Sequence, residues 1–533
     1  MLLPEIRREI FEYVALDVDV LARASMVSKA WHLDCQELQL REKAWTLRDL
    51  STIDQSDRQR LASRFRHFDL SGHEGCEEQL GKAFNDEELE YPNLRSLRFD
   101  PAHDRRWLTG YATKLLTSPN LRALVFSTAA APLIPWEQWT RECTQLEEVA
   151  IGSVVIPSWA PRHAYDLEFE DFLRHNPGLA SVVVEQKPRN YKILGVRSIA
   201  YLASATVLRV LHLLGDWSED GWLREALATV HYPFFALEEL VLRGSCETVA
   251  CISQGYARRG WSKLRRLDLT LRDYSEDLFK NISTLVNLTY LSVSLEPWHV
   301  NREIIEVRAD HITSLAVLQD LRCLEVRAPE FNRRLRMVPS WDADDQELFL
   351  LSFAKLERLS LTTDCTISES AMLILARVSS ELRYCRINAI LNLSLLGKAR
   401  HRLFPNLEHL HMRAPSESTD IPDTRYAMSL NYHMPKLESL FLQCGGHQMP
   451  DLSDALSQTR NQTWTGCRCP EPHSSLPIPL HGIALAIHTS LTGRPINVGE
   501  PKYYKEPMHL GRARFLAQSE YMRSDWGHGA ASE

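Results

Sequence analysis

A repeated spacing of apolar residues runs through most of the chain. Thirteen segments place apolar residues in the order Leu-x-x-Leu-x-Leu, or in a close variant of it. Their first leucines are Leu94, Leu121, Leu146, Leu179, Leu208, Leu237, Leu264, Leu288, Leu321, Leu356, Leu382, Leu407 and Leu437. The spacing is 24 residues between Leu264 and Leu288 and 35 between Leu321 and Leu356. The pattern therefore predicts an irregular structural repeat rather than one ordinary globular domain.

Each copy predicts one short strand followed by a helix. The last two apolar positions of a copy, such as Leu267 and Leu269, are two residues apart and share one face of a strand. Segments between copies, such as 171–175 and 371–377, have helical character. A strand and a returning helix make one coil of a solenoid, and stacked coils share a continuous core. The expected fold class is α/β, with a leucine-rich-repeat solenoid of about thirteen repeats over residues 91–450.

The alternative fold is an ordinary α/β protein that contains leucine-rich segments by chance. Alternation of strands and helices alone is also typical of doubly wound folds. Recurrence of one pattern, often introduced by Pro-Asn-Leu or Pro-Lys-Leu, favours the solenoid. The repeat does not indicate a ligand, because repeats of this kind serve many partners.

The first fifty residues have a different pattern, which predicts three short helices. Pro4 suits the first turn of one helix, Asp17 suits the N-cap of the second, and the third begins near Lys29. Their apolar residues are Ile6, Ile10, Phe11, Val14, Leu21, Ala24, Val27, Trp31, Cys35 and Leu38. So small a core is marginal alone and commonly needs a partner surface.

Residues 2–48 resemble an F-box. The matching motifs are Leu3-Pro4, Glu5-Ile6, Ile10-Phe11, Tyr13-Val14, Leu21, Val27-Ser28-Lys29-Ala30-Trp31 and Trp45. The resemblance implies docking on the Skp adaptor of Skp–cullin–F-box ubiquitin ligases, and through it on a cullin. It assigns this docking to Leu3, Pro4, Ile6, Ile10, Phe11 and Val14, with Leu21, Val27 and Trp31 partly holding the module together. The alternative is that these residues form only a local three-helix core.

An F-box followed by leucine-rich repeats resembles a class of substrate receptors, including fungal members. The resemblance implies that the repeats recruit a target protein for ubiquitination and proteasomal degradation. The alternative function is a leucine-rich-repeat interaction scaffold that does not act in ubiquitination. The expected domains are an F-box at 1–48, a linker or helical cap at 49–90, the solenoid at 91–450, and a C-terminal cap with a disordered tail at 451–533.

Within the C-terminal region, residues 451–480 contain four prolines and are interpreted as a loop. Residues 481–491 are predicted to form a buried strand or a short helix. A solenoid needs its open end covered, so we expect this region to cap it.

The residues that alternate with the buried pair of each strand predict a concave binding face. In the copy at Leu264 they are Arg266, Asp268 and Thr270. The same register makes the N-terminal end mildly acidic, with Asp100, Glu148, Glu185 and Glu239 against Arg98 and Arg243. It makes the C-terminal end basic and aromatic, with predicted target-binding residues Arg358, Tyr384, Arg386, Asn388, His409, His411, Arg413 and Phe441. These side chains suit an acidic or phosphorylated target, and the alternative is a solvated face with charges for solubility.

Composition narrows the class of function. The formal net charge of −8 disfavours nucleic acid as the main ligand. The 11 cysteines are scattered, and Cys467 and Cys469 have no second pair nearby, so we expect neither a disulfide framework nor a metal. No stretch of about 18 apolar residues predicts a membrane span, and residues 1–14 lack the apolar core of a secretory signal. A cytoplasmic or nuclear location follows as an expectation.

The chain also lacks the common catalytic signatures. It contains no phosphate-binding loop, dinucleotide fingerprint, His-Glu-x-x-His helix or Gly-x-Ser-x-Gly elbow. We therefore expect a receptor that is not an enzyme and that needs no cofactor.

Overall fold

The computed structural model contains two compact units, the first reaching Leu237 and the second beginning at Glu238. The residues that it describes are 23–24, 26–32, 34–35, 44–70, 89–99, 115, 118–126, 129–130, 136–155, 165–186, 194–215, 222–257, 261–295, 307–327, 341–362, 367–390, 402–413, 432–437, 439–444 and 483–488. Among the helices in these ranges, none has the length and hydropathy that a transmembrane segment requires.

The first unit is a parallel sheet with helices between its strands. Its strands are β1 (Ala44–Thr46), β2 (His67–Leu70), β3 (Ser96–Phe99), β4 (Ala123–Phe126), β5 (Ala129–Ala130), β6 (Glu148–Val155), β7 (Ser181–Gln186) and β8 (Val210–Gly215). Its helices are α1 (Leu47–Ser51), α2 (Gln55–Ala62), α3 (Trp136–Glu142), α4 (Asp166–His175), α5 (Val196–Ser204) and α6 (Trp222–Ala228). The strands pair in chain order, except that both β4 and the short β5 pair with β6.

The second unit repeats the same arrangement. Its strands are β9 (Glu239–Gly244), β10 (Arg266–Leu271), β11 (Tyr290–Leu295), β12 (Cys323–Arg327), β13 (Arg358–Thr362), β14 (Tyr384–Ile390), β15 (His409–Arg413), β16 (Ser439–Cys444) and β17 (Ile483–His488). Its helices are α7 (Cys246–Ala257), α8 (Leu278–Ser283), α9 (Ala309–Thr313), a 3₁₀ turn (Ser314–Val317), α10 (Ala343–Leu351) and α11 (Glu369–Val378). Strands β9 to β16 pair in parallel and in strict chain order.

All thirteen predicted copies contain a strand, and the leucine-rich-repeat architecture is confirmed. The leucines at the second position of neighbouring copies pair in register, as Leu267 does with Leu291. The first leucines, such as Leu264 and Leu288, are buried beside them. Strand order follows chain order within each unit, whereas a doubly wound sheet would reverse direction at a switch point. The shared leucine core is therefore what stacks one coil on the next.

The Pro-Asn-Leu openings have a structural role that explains their recurrence. The side-chain amide of Asn120 donates a hydrogen bond of 2.6 Å to the carbonyl of Pro92, one repeat earlier. Asn93 and Asn406 donate in the same way to the carbonyls of Ser63 and Ser380. Each asparagine thus satisfies a backbone acceptor in the preceding turn and links adjacent coils.

The sheet begins earlier than the sequence predicts. Strand β1 pairs with β2, and β2 pairs with β3, so residues assigned to the F-box end and to the linker contribute strands. Trp45, taken as part of the F-box motif, stacks on Phe65 with ring centroids 4.3 Å apart. Phe65 and Phe68 are buried at the spacing that leucines occupy in later copies. Phenylalanine in place of leucine explains why the leucine spacing does not predict this repeat.

Beyond β16 the structure describes one further strand. Residues 483–488 form β17, within the segment predicted as a strand or short helix, and pair antiparallel with β16. The rest of the predicted C-terminal cap and tail, residues 451–482 and 489–533, lies outside the described residues.

Candidate recognition surface

The second unit presents a polar sheet face opposite its leucine core. We call the residues that alternate with the buried leucines of β9–β16 the polar face. In the first row of this face lie Glu239, Arg266, Tyr290, Cys323, Arg358, Tyr384 and His409. In the second row lie Val241, Asp268, Ser292, Glu325, Ser360, Arg386 and His411. Charged and aromatic side chains therefore stand next to one another across neighbouring strands.

The first row begins with an acid, an arginine and a tyrosine on three successive strands. Glu239 lies 3.6 Å from the guanidinium of Arg266, between Oε1 and Nε. That guanidinium lies 3.7 Å from the ring centroid of Tyr290 on the next strand. A cation above an aromatic face is attracted to it, so one arginine is held from both sides.

The same combination occurs again three strands later. Arg358 pairs with Glu325 and lies 4.1 Å above the ring centroid of Tyr384. Arg327 pairs with the other carboxylate oxygen of Glu325. Glu325 is only 1% exposed, and a buried carboxylate needs such partners to offset its desolvation. The guanidinium of Arg358 therefore already contacts Glu325 and Tyr384 within the sheet face. The sequence did not predict these contacts.

Burial also shifts the pKa of groups that lie between these two combinations. It raises the pKa of Asp268, against the opposing effects of Arg266 and of a hydrogen bond from Ser292. Burial likewise raises the pKa of Tyr290 and that of Cys323 well above their ordinary values. Cys323 is consequently a neutral thiol, which is a poor nucleophile.

A cluster of rings and cations lies at the other end of the polar face. The ring centroid of Tyr384 is 6.2 Å from that of His409 and 5.6 Å from that of His411. Arg386 lies opposite His411 in the strand register. We call Tyr384, Arg386, His409 and His411 the histidine cluster.

The pKa of one imidazole, that of His411, shows the effect of the positive charges in this cluster. The pKa of His411 is lowered to about 4, first by burial and then by the nearby Arg386, His409 and Arg358. No acidic group is among the causes of this shift. His411 is therefore neutral at physiological pH, and its surroundings favour negative charge.

The structure brings together five of the eight predicted target-binding residues. Arg358 and the histidine cluster share the polar face of β13–β15. The other three, Asn388, Arg413 and Phe441, lie on β14, β15 and β16, and their side chains are outside the described residues. The pairing shifts between Arg386 and Ile390, so that Ile390, not Asn388, lies opposite Arg413. The uniform register assumed from the sequence is wrong at this irregularity.

The corresponding sheet face of the first unit is predicted from the sequence to be mildly acidic, but part of it is apolar. Val125, Ala150 and Val183 form a buried apolar cluster there, with Leu214 packed against it. The sequence prediction for this face considered only its charged positions and therefore did not include the apolar cluster. Arg98 has an acidic neighbour, Asp69, at 3.9 Å on β2, so its charge is offset. Glu148 and Glu185 are half-buried, and Asp100 lies outside the described residues.

Little of the F-box-like segment can be described. Leu3, Pro4, Ile6, Ile10, Phe11, Val14 and Leu21 lie outside the described residues. Residues 29–32 are helical, and the Ser28 hydroxyl accepts a hydrogen bond of 3.2 Å from the backbone N–H of Trp31. Val27, in the preceding turn, is 62% exposed and Met26 is 79% exposed. Trp31 is half-buried. Two adjacent apolar side chains thus face solvent.

Among the residues that the structure describes, no group of three or more His, Cys, Asp or Glu side chains is placed to hold a metal ion. Cys467 and Cys469 lie outside those residues. Burial raises the pKa of Cys143, Cys246 and Cys385 to about 12, so these thiols are protonated.

Comparison with known proteins adds little to this picture. No protein-family model and no curated protein matches the chain. Among solved structures, it is similar to one described as the Toll–Spatzle complex, a molecular hub in Drosophila development and innate immunity, at 11% identity and a TM-score of 0.33. The match covers 65% of this chain and spans half, 50%, of that one. At these values the similarity carries no argument about function, and the fold assignment rests on the sheet itself.

Proposed function

We propose that the chain is the substrate-recognition subunit of a Skp–cullin–F-box ubiquitin ligase. Its N-terminal segment binds the Skp adaptor and, through it, a cullin. Its repeats recruit a target protein for ubiquitination and proteasomal degradation. The resemblance of residues 2–48 to an F-box supports the first part, and the polar face supports the second.

The exposure of Val27 and Met26 is the structural observation that carries the proposal. Both lie in the turn before the helix that Ser28 caps; Val27 opens the Val-Ser-Lys-x-Trp motif, and Met26 directly precedes it. Adjacent apolar side chains in water are a feature of protein-binding sites, since covering them gains free energy. An adaptor surface that covers this turn accounts for both side chains.

Co-purification with the Skp adaptor tests the proposal. The full chain, co-expressed with adaptor and cullin, is expected to form a stable complex. Val27→Asp places a charge in the contact, and we expect at least about tenfold weaker adaptor binding, because burying a valine is worth about 1.5 kcal/mol or more. Val317→Asp is the matched control, because Val317 is 55% exposed and belongs to the second unit.

The outcomes separate the two functions that the sequence leaves open. Adaptor binding that survives both Val27→Asp and the double substitution Leu3→Ala with Pro4→Ala contradicts docking by this segment. Absence of any complex at micromolar concentration favours an interaction scaffold that is not part of a ligase. Affinity capture with the proteasome inhibited then reports whether ligase subunits and a ubiquitinated target accompany the chain.

A further inference from the structure

Helix α10 presents an apolar and acidic face to solvent. Leu348 is 65% exposed, more than any other large apolar side chain that the structure describes in the second unit, and Leu351 is 49% exposed. Asp344 and Glu347 share this face, because residues three, four and seven positions apart lie on one side of a helix. Phe349, on the other side of α10, is buried. The helix therefore packs on the leucine core and leaves two leucines in water.

The apolar surface continues onto the neighbouring coil. The 3₁₀ turn before β12 packs beside α10, and its last residue, Val317, is 55% exposed. Val317 stands four residues before the first leucine of its repeat, and Leu351 stands five residues before that of the next repeat. An ion pair between Asp320 and Lys355 joins the two coils just after these positions. Val317, Leu348 and Leu351 thus form one surface, which we call the α10 patch.

The charge beside the α10 patch is negative. Acids in the first turn of α10 suit the helix dipole, but Glu347 lies beyond that turn, and the helix has no basic residue in its last turn. Within the part of the chain that the structure describes, the carboxylates of Asp344 and Glu347 take part in no ion pair or hydrogen bond. Two neighbouring cations, Lys355 and Arg322, are already paired with acids. The two carboxylates are therefore available to a cation from another molecule.

Apolar and acidic surface together favour one class of occupant. Exposed aliphatic side chains gain free energy when a partner covers them. Carboxylates beside them attract Lys and Arg and repel phosphate, so the charge disfavours nucleic acid and anionic membrane surfaces. A second copy of the chain is disfavoured by size, because a stable interface covers about 800 Å² on each partner and the patch consists of three side chains. A short basic and apolar segment of another protein fits both the charge and the size.

We propose that the α10 patch binds a basic amphipathic helix of a partner protein. The apolar side chains of that helix cover Val317, Leu348 and Leu351, and its Lys or Arg side chains pair with Asp344 and Glu347. A helix is the matching shape, because the exposed side chains of α10 recur at helical spacing and form ridges that fit the grooves of a second helix. The inference goes beyond the ligase role and does not depend on it, since α10 lies across the leucine core from the polar face.

Binding of a designed helix by the full chain tests the patch. The probe is a fluorescein-labelled peptide of about 18 residues, or about five helical turns, with leucines along one face and lysines and arginines beside them. A scrambled peptide of the same composition spreads the leucines around the helix, and a third peptide has glutamate in place of each cation. Fluorescence anisotropy at constant ionic strength is expected to show at least about tenfold tighter binding of the first peptide than of either other peptide.

Matched variants locate the binding. The double variant Leu348→Gln with Leu351→Gln removes apolar surface without changing the charge, and is expected to weaken binding at least about tenfold. Leu167→Gln is its control and should leave the affinity unchanged, because Leu167 is 51% exposed on α4 of the first unit. Glu347→Gln is expected to weaken binding about threefold and to reduce its salt dependence. Glu276→Gln makes the same change of charge at an exposed acid before α8 and should do neither.

Each result decides the inference independently of the ligase role. Equal binding of the amphipathic and scrambled peptides overturns it, because net charge alone then accounts for binding. Equal losses from the double leucine variant and from Leu167→Gln also overturn it. Circular dichroism checks that the double variant is folded, and Glu347→Gln gives a second measure with less disturbance.

Sedimentation of the chain alone measures self-association. A dimer that dissociates in the double leucine variant overturns the inference in favour of a second copy as the occupant. Adaptor capture is measured on the same preparations and is expected to be the same for all of these variants. Peptide binding without adaptor capture therefore removes the ligase proposal and keeps the α10 patch, and the reverse result does the opposite.

Discussion

The protein is expected to lose stability in mild acid, and replacing His411 by glutamine is expected to make this loss smaller. The ring is half-buried on the polar face, and burial, followed by Arg386, His409 and Arg358, lowers its pKa from 6.5 to about 4. Glutamine keeps a polar side chain of similar reach and carries no proton to titrate. The substitution therefore removes one source of pH dependence and leaves the strand pairing in place.

The sign follows from which state binds the proton. Above pH 6.5 the imidazole is neutral in both the folded and the unfolded chain, and it makes no difference to stability. Between pH 6.5 and about 4 the unfolded chain takes up the proton and the folded chain does not, so the free energy of unfolding falls as the pH falls. The full difference corresponds to about 3 kcal/mol at about 1.4 kcal/mol per pH unit. We expect roughly half of this, because a half-buried side chain is partly screened by solvent.

Urea unfolding at pH 7.5 and pH 4.5, followed by circular dichroism, measures the effect. The parent protein should lose roughly 1 to 2 kcal/mol more than His411→Gln between the two pH values. Arg386→Gln removes one of the neighbouring charges and should also reduce the pH dependence. Parallel stability curves for the parent and His411→Gln would refute the reasoning.

Further predictions concern the buried ion pairs and the start of the sheet. Glu325→Gln should lower the free energy of unfolding by about 3 kcal/mol, because it leaves Arg327 and Arg358 without their buried carboxylate. Glu357→Gln, which removes an exposed pair with Arg322 at 3.1 Å, should cost less than about 1 kcal/mol in the same urea titration. Trp45→Ala should cost about 3 kcal/mol or more if the tryptophan belongs to the repeat core, and an unchanged urea midpoint would contradict that assignment.

The repeat architecture could be predicted because it depends on local spacing. Two apolar residues separated by one polar residue place the apolar pair on one side of a strand wherever the strand lies. Leu267 and Leu269 are buried as this rule requires. The same spacing holds at β2, but Phe65 and Phe68 take positions that leucines occupy in the other copies, so a pattern written with leucine does not include them. A search for any large apolar residue at this spacing would have found them.

The composition of the polar face could be predicted only in part. The sequence placed Arg358, Arg386 and His411 on one face of successive strands. It gave no sign that Arg358 is bound to Glu325, because the two residues lie on different repeats. It also assumed an unbroken register, which the irregularity between Arg386 and Ile390 interrupts.

The positions of the strands and the alternation of side chains between the leucine core and the polar face follow from the sequence alone, because both depend on neighbours within a few residues. The folded chain is needed to know which arginine pairs with which acid, which rings approach the cations and how far each group is buried. Those contacts join adjacent strands whose residues are separated by irregular repeats, from 24 residues at one step to 35 at another. Burial and neighbouring charge then lower the pKa of His411 and shift that of Asp268, and both are properties of the assembled sheet.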